Sequence, residues 1–217
     1  MNIEQARFNM IEQQIRPWDV LDPAVLSLLA VVKREDFVPD AYRSMAFMDT
    51  EIPLPEGQCM LAPRVEARLL QELQLQRHES VLEIGAGSGF MAALLGHRAR
   101  HVISLEISPL LARMAQDNLR GAAVMNASVR CTDGAQGLRG EAPFDAIVLS
   151  GSVAMVPQAL LDQLKLGGRL VAIVGDEPVM RARLFTRVAA DSWSQTDLFD
   201  TVAQRLLGFA EREQFRF

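Results

Sequence analysis

Two cysteines, Cys59 and Cys131, are too few for a disulfide framework, and the three histidines, His78, His97 and His101, supply no matching cluster for zinc. His97 and His101 stand four apart, but the chain is expected to change from helix to strand between them, which removes the shared face that metal ligation needs. No metal is expected. No apolar run approaches the ~18 residues that span a bilayer, and positions 1–14 mix charged with polar residues. A cytoplasmic location without a membrane partner is therefore expected. Positive charge is also short: 22 Lys and Arg against 27 Asp and Glu leave a formal net charge of -5. With no Lys/Arg block to grip a phosphate backbone, nucleic acid is not an expected partner. There is no internal repeat and no low-complexity tract.

What is present is an alternation. Residues 3–16 and 22–33 read as helices, the second capped by Asp22 with Pro23 in its first turn. In the first, Ile3, Phe8, Ile11 and Ile15 are assigned to the core. Pro39, Pro53 and Pro55 break regularity, so 37–63 is expected to be mostly loop, long enough to be functional. A helix resumes over 64–73. Strands are then expected at 80–84, 101–106, 127–131, 144–149 and 169–174, with helices from 88, over 109–119 and over 158–164. This predicts an α/β fold, a doubly wound and mostly parallel Rossmann-like sheet. Two further strand-like runs, 182–189 and 196–202, with no helix between them, predict antiparallel C-terminal strands. At 217 residues the chain suits one core. It is divided as one domain over 1–217: an N-terminal helical extension (1–78), a nucleotide-cofactor core (79–176) and C-terminal strands (177–217).

The chemistry concentrates at Val81-Leu82-Glu83-Ile84-Gly85-Ala86-Gly87-Ser88-Gly89-Phe90, a buried strand running into a glycine turn that opens a helix. A dinucleotide fingerprint would place its third glycine at position 90, where this chain has Phe90. Glu83 would repel a pyrophosphate and suits a cationic cofactor. S-adenosylmethionine, with its sulfonium and ammonium, is such a cofactor. Glu106 ends the next strand about 20 residues past the first glycine, where a carboxylate can accept both ribose hydroxyl protons. Asp133, followed by Gly134, ends the third strand, where its oxygens could accept from an adenine amino group. Taken singly, either acid also reads as a cap or turn residue.

Over nearly its whole length the chain resembles the protein-L-isoaspartate O-methyltransferases. The resemblance is carried by Arg34-Glu35-Asp36-Phe37-Val38-Pro39, by Ala46-Phe47-Met48-Asp49 leading through Ile52-Pro53-Leu54 to Gly57-Gln58, and by the glycine turn. Asp133-Gly134, Ala142-Pro143-Phe144-Asp145-Ala146-Ile147-Val148 and Gly167-Gly168-Arg169-Leu170-Val171 follow in the same order. The resemblance implies an enzyme that uses S-adenosylmethionine to methylate the carboxylate of isoaspartyl residues in damaged proteins or peptides. It puts cofactor contacts on Glu83, Gly85, Gly87, Ser88, Glu106, Asp133 and Gly134, and acceptor-side roles on Gln58, Leu61 and Asp49.

Three departures fall on the acceptor side. Family members continue Gly-Gln with Thr, a hydrophobic residue, Ser, Gln and Pro, the serine hydroxyl lying beside the reacting carboxylate. Here Cys59-Met60-Leu61-Ala62-Pro63 puts Leu61 at that hydroxyl. Leu149-Ser150-Gly151-Ser152 departs from a Thr-Ala-Ala pattern, and Thr201-Val202-Ala203-Gln204-Arg205-Leu206 from a hydrophobic, proline-bearing stretch. Losing one hydrogen bond to a charged acceptor costs roughly 1.5 to 3 kcal/mol, about one to two decades in rate. Two other readings stay open: a related methyltransferase with a more apolar acceptor, and a cofactor-binding module without repair activity.

Overall fold

The computed structural model describes residues 2–211; the last part of the expected C-terminal unit, 212–217, lies outside the described residues. Among the described residues, nine strands and six α-helices follow one another. Strands β1 (Ile52–Pro53) and β2 (Cys59–Met60) pair as a small antiparallel ribbon. The other seven form one sheet: β3 (Ser80–Ile84), β4 (His101–Glu106), β5 (Ala127–Cys131), β6 (Phe144–Val153), β7 (Leu164–Asp176), β8 (Val179–Ala189) and β9 (Ser192–Thr201). Their order is β5-β4-β3-β6-β7-β8-β9, parallel through β7 and antiparallel at β8 and β9.

Alternation along these strands builds two core layers. Val81, Val102, Ala146, Val148, Val171 and Ile173 face helices α2 (Pro23–Val31), α3 (Pro63–Leu73), α4 (Phe90–Arg98) and α5 (Pro109–Gly121). Leu82, Ile84, Ile103, Leu105, Ile147 and Leu149 face the other way, toward α6 (Gln158–Leu161) and Phe209. The Asp22 cap read from the sequence is in place, and the structure adds a second at Ser108. Asp22 accepts from the Ala24 N–H at 2.8 Å, and Ser108 accepts from the Leu111 N–H at 3.1 Å. Because the chain steps outward from β3 to β4 and β5 and then returns to β6 on the other side of β3, the strand order reverses there. The carboxyl ends of β3 and β6 thus flank the crevice in which open α/β sheets bind ligands.

Several expectations need correction. The first helix is α-helical only over α1 (Ile3–Met10); a π turn at Ile11–Ile15 and a 3₁₀ turn at Arg16–Trp18 complete it. Ile11 and Ile15 are buried as expected, but Ile3 is 46% and Phe8 58% exposed. The inward direction is set instead by Arg7, a buried residue that pairs with Glu35 and lies 5.7 Å over the Phe47 ring, and Phe8 is turned ~100° away from it. The 37–63 stretch carries the β1/β2 ribbon and short 3₁₀ turns. The helix expected over 158–164 stops at Leu161, because Leu164 already pairs with Phe144. β6 continues to Val153 through an irregularity between Val148 and Ser152, where the register against β7 shifts.

Candidate active site

Glu83 lies at the end of β3, fully buried, and its carboxyl accepts from Ser104 Oγ on β4 and from Ser150 Oγ on β6 at 2.8 Å. Burial pushes its pKa up to about 8; the two hydroxyls pull the other way, and Glu66 and Glu106 add smaller upward pushes. Its hydrogen-bond partners are hydroxyls, not cations. The glycine turn follows directly. At Gly85 φ is +88°, and a Cβ there would stand 2.6 Å from Leu206 Cδ2, so both conformation and space call for glycine. The Gly85 N–H donates to the Leu105 carbonyl at 2.8 Å, tying the turn to β4.

Glu106 is buried at the end of β4. Its Oε2 accepts from the Gly87 N–H at 2.9 Å and its Oε1 from the Ser108 N–H at 3.0 Å. One carboxylate therefore anchors the glycine turn and the start of α5, and it keeps lone pairs for further donors. Gly134 is buried against β3: a Cβ there would meet Ile84 Cγ2 at 2.5 Å. Asp133 is exposed; its Oδ1 accepts from the Ala135 N–H at 2.9 Å, and Gly208 packs against its carboxylate.

Two adjoining cavities occupy this crevice. The larger, about 580 Å³, is lined by Gly85, Gly87, Glu106 and Gly134, by Gln58 of the ribbon turn, and by Leu206, Leu207 and Phe209. The smaller, about 270 Å³, is lined by Glu83, Ser88, Phe90, Met60, Leu61 and Glu66. Cys59, Gly85, Gly87 and Ser150 line both. Leu61 is buried, and its carbonyl accepts from Arg34 Nη2 at 2.7 Å; Arg34 pairs with Glu66 and lies 4.8 Å over the Phe90 ring. The Cys59 thiol is pushed up to about 12 by burial and then by Glu51, which keeps it neutral.

The structure thus gathers Gln58, Leu61, Glu83, Gly85, Gly87, Ser88, Glu106 and Gly134 around the crevice, with Asp133 at its edge. Asp49 stands apart. It pairs with Arg64, whose guanidinium stacks 4.3 Å over Trp18, so it fastens the acceptor-side loop to α3. Asp49→Asn is expected to cost about 1 kcal/mol of stability or less, the range for partly exposed pairs, and to leave kcat within about threefold; chemical denaturation and steady-state kinetics check both.

The resemblance sets 201–206 on the acceptor side, and sequence reasoning missed that residues 204–209 wall the larger cavity. The Leu206 N–H donates to the Ser152 carbonyl at 2.9 Å, and the Ser152 N–H to the Gln204 carbonyl at 2.8 Å. Gln204 Nε2 also reaches the Gly57 carbonyl at 2.6 Å. The apolar run Leu206-Leu207 just before Gly208-Phe209 was the only local hint.

Comparison with known proteins adds an independent finding. The profile of the protein-L-isoaspartate(D-aspartate) O-methyltransferase family matches residues 5–203. A protein-L-isoaspartate O-methyltransferase 1 from Syntrophobacter fumaroxidans is 42% identical over 176 residues, 81% of this chain and 82% of that one. A protein-L-isoaspartate O-methyltransferase from Koribacter versatilis is 38% identical over 202 residues, 93% of this chain and 90% of that one. Among solved structures, a Plasmodium falciparum protein described as a protein-L-isoaspartate O-methyltransferase in complex with S-adenosyl-L-homocysteine superposes with a TM-score of 0.79 at 19% identity. That likeness, over 94% of this chain and 97% of the other, concerns the fold.

Proposed function

We propose, from the premise that the chain belongs to the protein-L-isoaspartate O-methyltransferase family, that it transfers the methyl group of S-adenosylmethionine to the side-chain carboxylate of isoaspartyl residues in proteins and peptides. The observation that carries this reading is Glu83, a carboxyl fully buried at the strand-order reversal, bonded to two hydroxyls and lining a cavity beside a glycine turn. A buried carboxylate of this kind is stabilised by a cation brought in beside it. The residues present therefore fit the cofactor. Glu83 would face its ammonium, Glu106 its ribose hydroxyls and Asp133 its adenine amino group, while Gly85, Gly87 and Gly134 leave the backbone open to close approach.

When bound, the cofactor supplies an electrophilic methyl group on sulfur. The residues of the chain hold and orient. A carboxylate acceptor has a pKa of about 4 and is ionised at neutral pH, so no general base is required. Held in line, its oxygen would take that methyl group, the electron pair of the broken C–S bond remaining on sulfur. Alignment alone can be worth roughly 7 to 11 kcal/mol of barrier. Gln58, Cys59 and Leu61 shape the acceptor side, and the wall at 204–209 keeps water from the larger cavity.

The test is transfer of labelled methyl from S-adenosylmethionine to a peptide with one isoaspartyl residue, beside the same peptide with ordinary aspartate. Selective labelling of the isoaspartyl peptide is expected. A second reading, a more apolar acceptor, draws on the Met60 and Leu61 side chains in the smaller cavity. Cofactor binding without labelling of either peptide would favour it. Among the described residues no helix is long and apolar enough to cross a membrane.

A further inference from the structure

The groups assigned above to the cofactor are divided between the cavities, Glu106 in the larger and Glu83 in the smaller, and the residues that line both are Cys59, Gly85, Gly87 and Ser150. Their donors are mostly committed. The Gly85 N–H serves the Leu105 carbonyl and the Gly87 N–H serves Glu106, while the Cys59 thiol is held neutral by burial and by Glu51. Ser150 carries the only hydroxyl of the four. It sits in the irregular stretch of β6 where the register against β7 shifts between Val148 and Ser152. Such irregularities re-aim a side chain, and here Ser150 is directed to the cavity boundary, with its Oγ 2.8 Å from Glu83 Oε1. Across the smaller cavity, the Leu61 side chain offers an arriving carboxylate no hydrogen bond.

We propose that Ser150 is the hydrogen-bond donor that orients the acceptor carboxylate, its hydroxyl hydrogen turning from Glu83 to the acceptor once a cofactor ammonium occupies Glu83. This inference rests on the isoaspartyl reading above. A serine hydroxyl has one hydrogen and a freely rotating O–H, so it can serve only one of two carboxylates at a time. In the ligand-free chain the hydrogen belongs to Glu83. An ammonium donating to Glu83 supplies a stronger, charge-assisted bond in its place, which leaves the hydroxyl free to turn. The acceptor oxygen not bonded to Ser150 then attacks the methyl carbon: the C–O bond forms, the C–S bond breaks with its electron pair going to sulfur, and no proton moves. Ser150 remains intact. The arrangement also couples the two ligands, because the acceptor gains its donor only after the cofactor is in place.

Three measurements on the full chain test this: calorimetric binding of S-adenosylhomocysteine, binding of the isoaspartyl peptide with and without S-adenosylhomocysteine, and kcat/KM. S-adenosylhomocysteine keeps the ammonium and cannot react. In the wild type, peptide affinity is expected to rise when it is bound. In Ser150→Ala, S-adenosylhomocysteine affinity is expected to stay within about threefold, the rise in peptide affinity to vanish, and kcat/KM to fall about 10- to 100-fold. Ser150→Thr, which restores the hydroxyl, is expected to recover most of the activity. Undiminished transfer by Ser150→Ala beside an active wild type overturns the inference alone, as does a Ser150→Ala variant that loses S-adenosylhomocysteine. A wild type that binds the cofactor and labels no isoaspartyl peptide overturns the isoaspartyl reading and this inference together.

Discussion

Ligand-free protein carrying Glu83→Gln is expected to unfold at a temperature about 5 °C or more above the wild type at pH 8, and at nearly the same temperature at pH 5. The reason lies in where the proton is held. In the unfolded chain Glu83 releases its proton around the ordinary value of 4.5, whereas in the fold burial raises that to about 8. Between these values the folded state binds the extra proton, so stability falls as pH rises from about 4.5 to about 8 and is level beyond. The full swing is on the order of 3 to 5 kcal/mol, and 1 kcal/mol moves the melting temperature of a chain this size by roughly 2 to 4 °C. Glutamine keeps the shape and the bonds to the serine hydroxyls and removes the titration. The same change removes the charge a cationic cofactor would meet, so S-adenosylmethionine affinity is expected to fall about 30-fold or more. Thermal scans at the two pH values and calorimetry at pH 8 check both; equal pH slopes in wild type and variant would refute the burial argument.

Glu106→Ala is expected to weaken S-adenosylmethionine binding about 100-fold, with the fold retained. Hydrogen bonds to a charged partner are worth roughly 1.5 to 3 kcal/mol, and in the proposed reading this carboxylate takes two from a ribose. It also holds the Gly87 and Ser108 N–H groups, so its loss loosens the glycine turn as well as the contact. Glu106→Gln keeps one acceptor oxygen and is expected to lose about tenfold. Calorimetric affinities within threefold of wild type for both variants would remove Glu106 from the cofactor site.

The parts of this site that could be read from sequence are those in which chemistry and position lie within a few residues of each other. Glu83 with the glycines, and Glu106 at the next strand end, depend on a strand-turn-helix unit that local pattern specifies, and the fold brings them together. Asp49 read as an acceptor-side group because it lies in a motif, but its partner Arg64 is brought to it by the packing of α3. Phe8 read as core because Arg7, its neighbour, was not expected to own the buried face; Glu4 one turn away and the distant Glu35 together pair with it there. Ser150 was visible only as a departure from a pattern. Its aim depends on a register shift between β6 and β7, a pairing of strands whose local sequences do not announce it. The 204–209 wall was missed for a related reason: it adheres by backbone bonds to Ser152, which any sequence can make.

That wall also sets a clock. It is a single strip, fastened by two backbone bonds at Ser152, by Arg205 to Gly175 and Asp176, by Gln204 to the ribbon turn, and by Phe209 in the core layer beneath it. Detaching such a strip costs far less than opening the seven-stranded sheet behind it. Leu206, Leu207 and Phe209 line the larger cavity, so lifting of the strip would open that cavity to solvent. A chain built this way can perform fast chemistry and still turn over at the pace of its slowest hinge.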